Sequence, residues 1–136
     1  MINKIEALLK ENGYAFDPES WNSINMPYTK TANTPVSLDF IQHQLGTTAG
    51  IYLFKSANDE ILYIGKGAPL FKRIKSHYNK LSIENTRSKR IQYFQSMEQK
   101  HPTIFWLEIN DQADRELVEH MLAYTLKPLY KKHLFI

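Results

Sequence analysis

Two short runs of β-branched and aromatic residues, Gly50-Ile51-Tyr52-Leu53-Phe54 and Ile61-Leu62-Tyr63-Ile64-Gly65, flank the turn-forming tetrad Ser56-Ala57-Asn58-Asp59. Runs this short, this rich in strand formers and this close together fold most simply as a β-hairpin. The chain beyond the hairpin restricts the fold further. Pro69 stands where a helix can begin, and Leu70, Ile74, Tyr78 and Leu81 then recur at helical spacing. A second helix is expected over roughly Arg87 to Gln99, ended by Pro102, and a third strand over Thr103–Ile109. Asp111 and Asp114 open a final helix that runs toward Lys127 and stops before Pro128. The order β-β-α-α-β-α predicts an α+β fold: a small three-stranded antiparallel sheet flanked by helices.

Upstream of the hairpin the pattern is weaker. Residues 2–12 predict an amphipathic helix through Ile2, Ile5, Leu8 and Leu9, stopped by Gly13. Tyr14 to Pro35 reads as irregular chain packed down by Trp21 and Tyr28, and Ser37 as the cap of a short helix through Leu38, Ile41 and Leu45. The expected division is an N-terminal extension over 1–46 and a core domain over 47–136.

Composition narrows the function classes. The 136 residues include 43% hydrophobic and 23% charged, a globular balance. No apolar run approaches the length of a membrane span, and the charged N-terminus is unlike a signal peptide. The absence of cysteine excludes disulfides and thiolate metal sites and fits an intracellular location. The net charge of +3 is unevenly spread. From Lys66 to Arg90 the chain carries Lys66, Lys72, Arg73, Lys75, Lys80, Arg87, Lys89 and Arg90 against one acid, Glu84, whereas the first 49 residues lean acidic. A basic middle is the pattern of a surface that meets phosphates, although a solvated helix face carries the same charges.

The helix after the hairpin puts Arg73 and His77 along the edge of its apolar stripe, one turn apart, with Lys72, Lys75 and Ser76 on the far side. That placement suits a cleft; an arginine snorkelling over the core edge is the competing account. In the last helix the apolar arc runs through Ala113, Leu117, Val118, Met121, Leu122, Tyr124 and Leu126. Glu119 flanks it, with Glu116 and His120 further into the polar strip, and spacing alone does not choose between the two glutamates. His101, His120 and His133 lack zinc spacing, so carboxylates are the available metal donors. Gly65-Lys66-Gly67 is too short for a phosphate-binding P-loop.

Combined, these segments resemble the GIY-YIG nuclease family. Gly50-Ile51-Tyr52 is followed after ten residues by Tyr63-Ile64-Gly65-Lys66, LFKRIKSHY matches the family's first helix with its arginine at Arg73 and a frequent histidine at His77, and ELVEHMLAYTLKPLY matches the closing segment. In that segment Glu119 precedes Pro128-Leu129-Tyr130 by nine residues, the spacing that selects Glu119 over Glu116. The resemblance covers about Thr47 to Lys131. It implies hydrolysis of a DNA phosphodiester with one divalent ion, Mg²⁺ or Mn²⁺, held by Glu119, while Arg73 offsets charge on the phosphoryl group. By resemblance Tyr52 takes the proton from the attacking water and Tyr63 positions it. A free tyrosine ionises near about pH 10, so Lys66 and Arg73 would have to assist, and His77 is the chemically easier base. Both remain candidates. Lys66, Lys72, Lys75, Arg87, Lys89 and Arg90 are the expected DNA contacts, and a homodimer or protein partner is a further source of target choice. Lys131 stands where family members often carry asparagine after Pro-x-Tyr. The alternative is a nucleic-acid-binding module that keeps the fold without cutting.

Overall fold

The computed structural model describes residues 21–24, 27–30 and 34–130, together with Ala7, Lys10 and Glu11. Both strands of the hairpin form as the sequence predicts. Strand β2 spans Gly50–Lys55 and β3 spans Ile61–Gly67, paired antiparallel with Tyr52 opposite Gly65 and Phe54 opposite Tyr63. The turn between them is closed by Ser56, whose Oγ accepts from the backbone N–H groups of Asn58 and Glu60 at 3.2 and 3.1 Å. Strand β4, Thr103–Glu108, pairs antiparallel with the other side of β2.

The sheet has four strands rather than the expected three. Strand β1, Asn22–Ile24, lies in the stretch that reads as irregular and pairs with β4, so the order is β1-β4-β2-β3. Three residues are too few to show an alternating pattern, and β4 supplies the pairing that local sequence does not advertise. Trp21 and Tyr28, on either side of β1, are buried as expected. The helix expected to start at Ser37 is α1, Thr34–Leu45, which begins three residues earlier with Pro35 in its first turn, where a missing N–H costs nothing. The predicted helix at 2–12 lies outside the described residues except for Ala7, Lys10 and Glu11, and Lys131 lies outside them as well.

Helices cover the sheet on both faces, which explains why β2 is uniformly apolar rather than alternating. Its odd and even residues point opposite ways. Tyr52, Phe54 and Tyr63 meet α1, α2 (Leu70–Lys80) and α3 (Lys89–Met97) in a core with Ile41, Ile74 and Phe94. Ile51, Leu53 and Ile64 face α4, Gln112–Leu126, through Val118 and Leu122. No helix among the described residues is long and apolar enough to cross a membrane.

The helix ends follow from capping chemistry. Ser88 Oγ accepts from Ile91 N–H at 3.2 Å and Asp111 from Asp114 N–H at 2.9 Å, starting α3 and α4. Lys127, in the left-handed region at φ 49°, ends α4 before Pro128. Beyond it Leu129 and Tyr130 donate their backbone N–H groups to Ile61 and Leu62, at 3.0 and 3.3 Å. This laces the tail to the start of β3, an edge strand.

The closeness of β2 and β4 makes one glycine indispensable. A Cβ on Gly50 would come within 2.0 Å of the Leu107 carbonyl oxygen, a backbone atom with nowhere to go. Gly50→Ala is expected to destabilise the chain by about 1–3 kcal/mol. Urea unfolding would show this as a lower midpoint with an unchanged slope.

Candidate active site

The site starts from the Tyr52–Gly65 pair. With no side chain on Gly65, the Tyr52 ring lies across β3: a Cβ there would be 2.5 Å from the ring and its hydroxyl. Gly67 does the same for Arg73, whose Cγ would be 2.8 Å from an added Cβ. The two glycines let β3 carry an aromatic ring from β2 and an arginine stem from α2 against its backbone.

Beneath the surface, the Tyr52 hydroxyl meets His77 Nε2 at 2.6 Å. His77 is 1% exposed, so it lies within the buried face of α2 and not along its edge as the spacing predicts. The cause is α3, whose Phe94 ring packs tilted against the imidazole, 4.5 Å between ring centres, and closes what an isolated helix would leave open. Tyr63 also borders the imidazole, at 5.2 Å, and Tyr28 donates its hydroxyl to the His77 carbonyl at 2.9 Å. Burial pushes the Tyr52 hydroxyl well above its ordinary pKa, the Tyr63 hydroxyl adds to this, and Arg73 pulls the other way without cancelling it. Arg73 is partly covered, which works against its charge; Tyr52 and Tyr63 more than offset that and hold the guanidinium protonated.

Above this layer a cleft of about 350 Å³ opens, lined by Tyr63, Lys66, Arg73, Arg115, Glu116 and Glu119 among others. Because β3 is an edge strand, side chains from both faces of the sheet reach it: Arg73 from α2 on one side, Glu119 from α4 on the other. Lys66 is paired with Glu116 Oε1 at 3.5 Å across its mouth. Glu119 is 6% exposed and sits on the buried face of α4 with Arg115, Val118 and Leu122, not on its flank. The apolar arc expected of α4 is narrower than its composition suggests, since Ala113 is exposed and Leu117 and Tyr124 are 57% and 65% exposed.

Of the residues singled out from sequence, Tyr63, Lys66, Arg73 and Glu119 line the cleft, and Tyr52 and His77 lie in the layer beneath. Lys72 and Lys75 are exposed on the outer face of α2, Arg87 and Lys89 are exposed around the start of α3, and Arg90 is half-buried. None of these five borders the cleft. Sequence reading misses Arg115, whose guanidinium donates to the carbonyls of Ile109 and Asn110 at 3.0 and 2.8 Å. Its spacing four residues before Glu119 is the signal that could have found it. A larger groove of about 610 Å³, bordered by Ile24, Tyr28, Glu98 and His101, contains none of the singled-out residues.

A family model described as the UvrC-like GIY-YIG domain matches residues 48–132. The chain belongs to this family. It is similar to the UvrABC system protein C of Helicobacter pylori strain J99, at 34% identity over 89 residues, and of Flavobacterium johnsoniae, at 32% over 94. Similarity to the Xylella fastidiosa strain M23 protein is 32% over 103 residues. These matches cover 63%, 69% and 74% of the chain, which spans 15% of the length of each relative. In this GIY-YIG domain the matched region contains the hairpin, α2, α3, β4 and α4, and so both layers of the site.

Burial of the Tyr52 hydroxyl has a measurable consequence. The folded chain keeps this proton above pH 10.0, the ordinary value, whereas the unfolded chain releases it there. The unfolded state therefore gains from rising pH, and stability present below pH 10.0 is lost progressively above it. Tyr52→Phe should flatten this decline by about 1.4 kcal/mol per pH unit, one proton's worth. Urea midpoints of wild type and variant between about pH 9 and 11 provide the comparison.

Proposed function

We propose that this GIY-YIG domain is a DNA endonuclease that hydrolyses phosphodiester bonds in its edge-strand cleft with the help of Mg²⁺ or Mn²⁺. The observation that carries this reading is the convergence of Tyr63, Lys66, Arg73 and Glu119 on one cleft from three separate segments of chain. A binding module needs the cations alone. A carboxylate on the opposite wall repels phosphate unless a cation is recruited beside the substrate.

In this reading the DNA backbone enters the cleft on the side of Arg73 and Lys66. Arg73, held protonated, provides fixed positive charge where negative charge develops on the phosphoryl oxygens. Proton removal from the attacking water falls to Tyr63, Tyr52 and His77 acting together. Tyr63 borders the cleft and meets water first, while the Tyr52 hydroxyl behind it shares a proton with His77 Nε2 across 2.6 Å. An imidazole is suited to accept a proton near neutrality, so neither tyrosine has to exist as a free phenolate. Tyr52 and His77 are then not rival bases but two parts of one acceptor.

The donor chemistry fits a hard divalent cation. Glu119 and Glu116 both border the cleft and offer carboxylate oxygens. When bound, such an ion supplies positive charge for the phosphoryl and leaving oxygens. Glu119 is the residue that would hold it, with Glu116 engaged by Lys66. No group of three or more candidate ligands occurs among the described residues, so substrate phosphate has to complete the site. Titration calorimetry should accordingly find weak Mg²⁺ binding without DNA. Submicromolar affinity in its absence would contradict this donor assignment.

Cleavage of supercoiled plasmid with Mg²⁺ or Mn²⁺ tests the whole reading. Wild type should cut, and Glu119→Ala and Arg73→Ala should each lose on the order of 10²–10³ in rate while remaining folded. Tyr52→Phe, His77→Ala and the double variant should lose similar amounts, because a shared acceptor fails when either part is removed. DNA binding by wild type without cutting would favour the non-cleaving module instead.

A further inference from the structure

Outside the cleft, two cations converge on one buried ring, with no acid paired to either among the described residues. Lys80, in the last turn of α2, is 7% exposed, and its ammonium lies 5.0 Å from the centre of the Phe94 ring. The Arg90 guanidinium, in the first turn of α3, lies 5.6 Å from the same centre. Neither makes an ion pair among the described residues, where Lys55 pairs with Asp59, Lys66 with Glu116 and Lys100 with Glu60. The only hydrogen bond of the Lys80 ammonium there is to Ser76 Oγ, at 3.1 Å.

Two like charges over one ring repel each other, and burying an ammonium without a counter-ion is costly. A lysine at a helix C-terminus ordinarily reaches forward to the last carbonyls. Lys80 instead folds back one turn onto Ser76, toward the end of α2 that carries Arg73. Burial, then Arg90, then Arg73, lowers its pKa to about 8, as expected where cations crowd together without compensation. The loop linking the two helices is pinned in place, since the Gln95 amide donates to the carbonyls of Lys80 and Ile83 at 2.9 and 2.6 Å. The two charges are thus held together by the fold.

We propose that Lys80 and Arg90 form a second phosphate seat, which grips the DNA backbone outside the cleft. Seven helical residues separate Lys80 from Arg73, a rise of about 10 Å. The seat fixes the path of the strand across α2 and α3 and rests on the DNA-cleaving reading above for its ligand. Its contacts are to phosphate, so it contributes to affinity equally for all sequences.

The test uses the full chain carrying Glu119→Gln, so that a fluorescent duplex is bound without being cut, and follows affinity against salt concentration. Lys80→Gln and Arg90→Gln should each lower the slope of log affinity against log salt by about one. Lys100→Gln, at the Glu60 ion pair, should leave it unchanged. In parallel, inorganic phosphate and duplex are titrated while the ¹⁵N signal of the Lys80 ammonium is observed, and both should shift it. Where duplex binds, slopes equal to that of Lys100→Gln, or a Lys80 signal that the bound duplex leaves unmoved, overturn the seat. If wild type cuts DNA and the slopes do not change, the seat alone falls. If DNA is neither cut nor bound but phosphate moves the Lys80 signal, the nuclease reading falls and the anion seat stands. Should Lys80→Gln fail to fold, the Arg90→Gln slope decides.

Discussion

The contact on which the rest depends is the Tyr52 ring lying across Gly65, with its hydroxyl bonded to His77. It joins β2 to β3 by pairing and the sheet to α2 by a short hydrogen bond, all within one buried aromatic cluster. Around it Phe54, Tyr63, Phe94 and Tyr130 meet edge to face or tilted, with ring centres 5.0–6.3 Å apart. A core built of rings tolerates polar atoms at its rim, because each tyrosine carries an apolar body and a polar tip. That is how a hydrogen-bonded pair of titratable groups is housed without exposing the fold to water.

Much of this architecture is legible in the sequence. The hairpin announces itself in composition and turn chemistry, and the stripe Leu70, Ile74, Tyr78 and Leu81 is buried as its period requires. Ser88 and Asp111 mark their helix starts because capping is local chemistry. The features that escape are set by partners distant in sequence. Strand β1 exists because β4 pairs with it, and His77 is interior because Phe94 covers it. Leu117 and Tyr124 mislead for the opposite reason: their hydrophobicity widens the apparent buried arc of α4 and moves Glu119 to its edge. Glu119 stands out through resemblance, by its distance from Pro128, where periodicity is silent. Lys80 reads in sequence as one more charge; its burial beneath α3 sets it apart from Lys72 and Lys75.

Electrostatics divides the domain into a mouth and a floor. The mouth carries Lys66, Arg73 and Arg115 together with Glu116 and Glu119. The floor holds the Tyr52 hydroxyl, which burial keeps protonated, bonded to His77. The open end of β3 makes this possible. Its beginning is laced to the tail through Ile61 and Leu62, while its glycine-rich end is left for side chains from both faces.

The two-sided assembly of the cleft also sets when it can exist. Its walls come from α2 and α4, segments separated by α3 and β4 and lying on opposite faces of the sheet. Tyr52, Tyr63, Lys66 and Arg73 all precede α4 in the chain and by themselves have no opposing wall. Glu119 follows β4 in the chain, and it lies across the cleft from Arg73 only when α4 is packed on the far face. A chain with α4 undocked therefore carries Tyr52, Tyr63, Lys66 and Arg73 without the wall that completes the cleft.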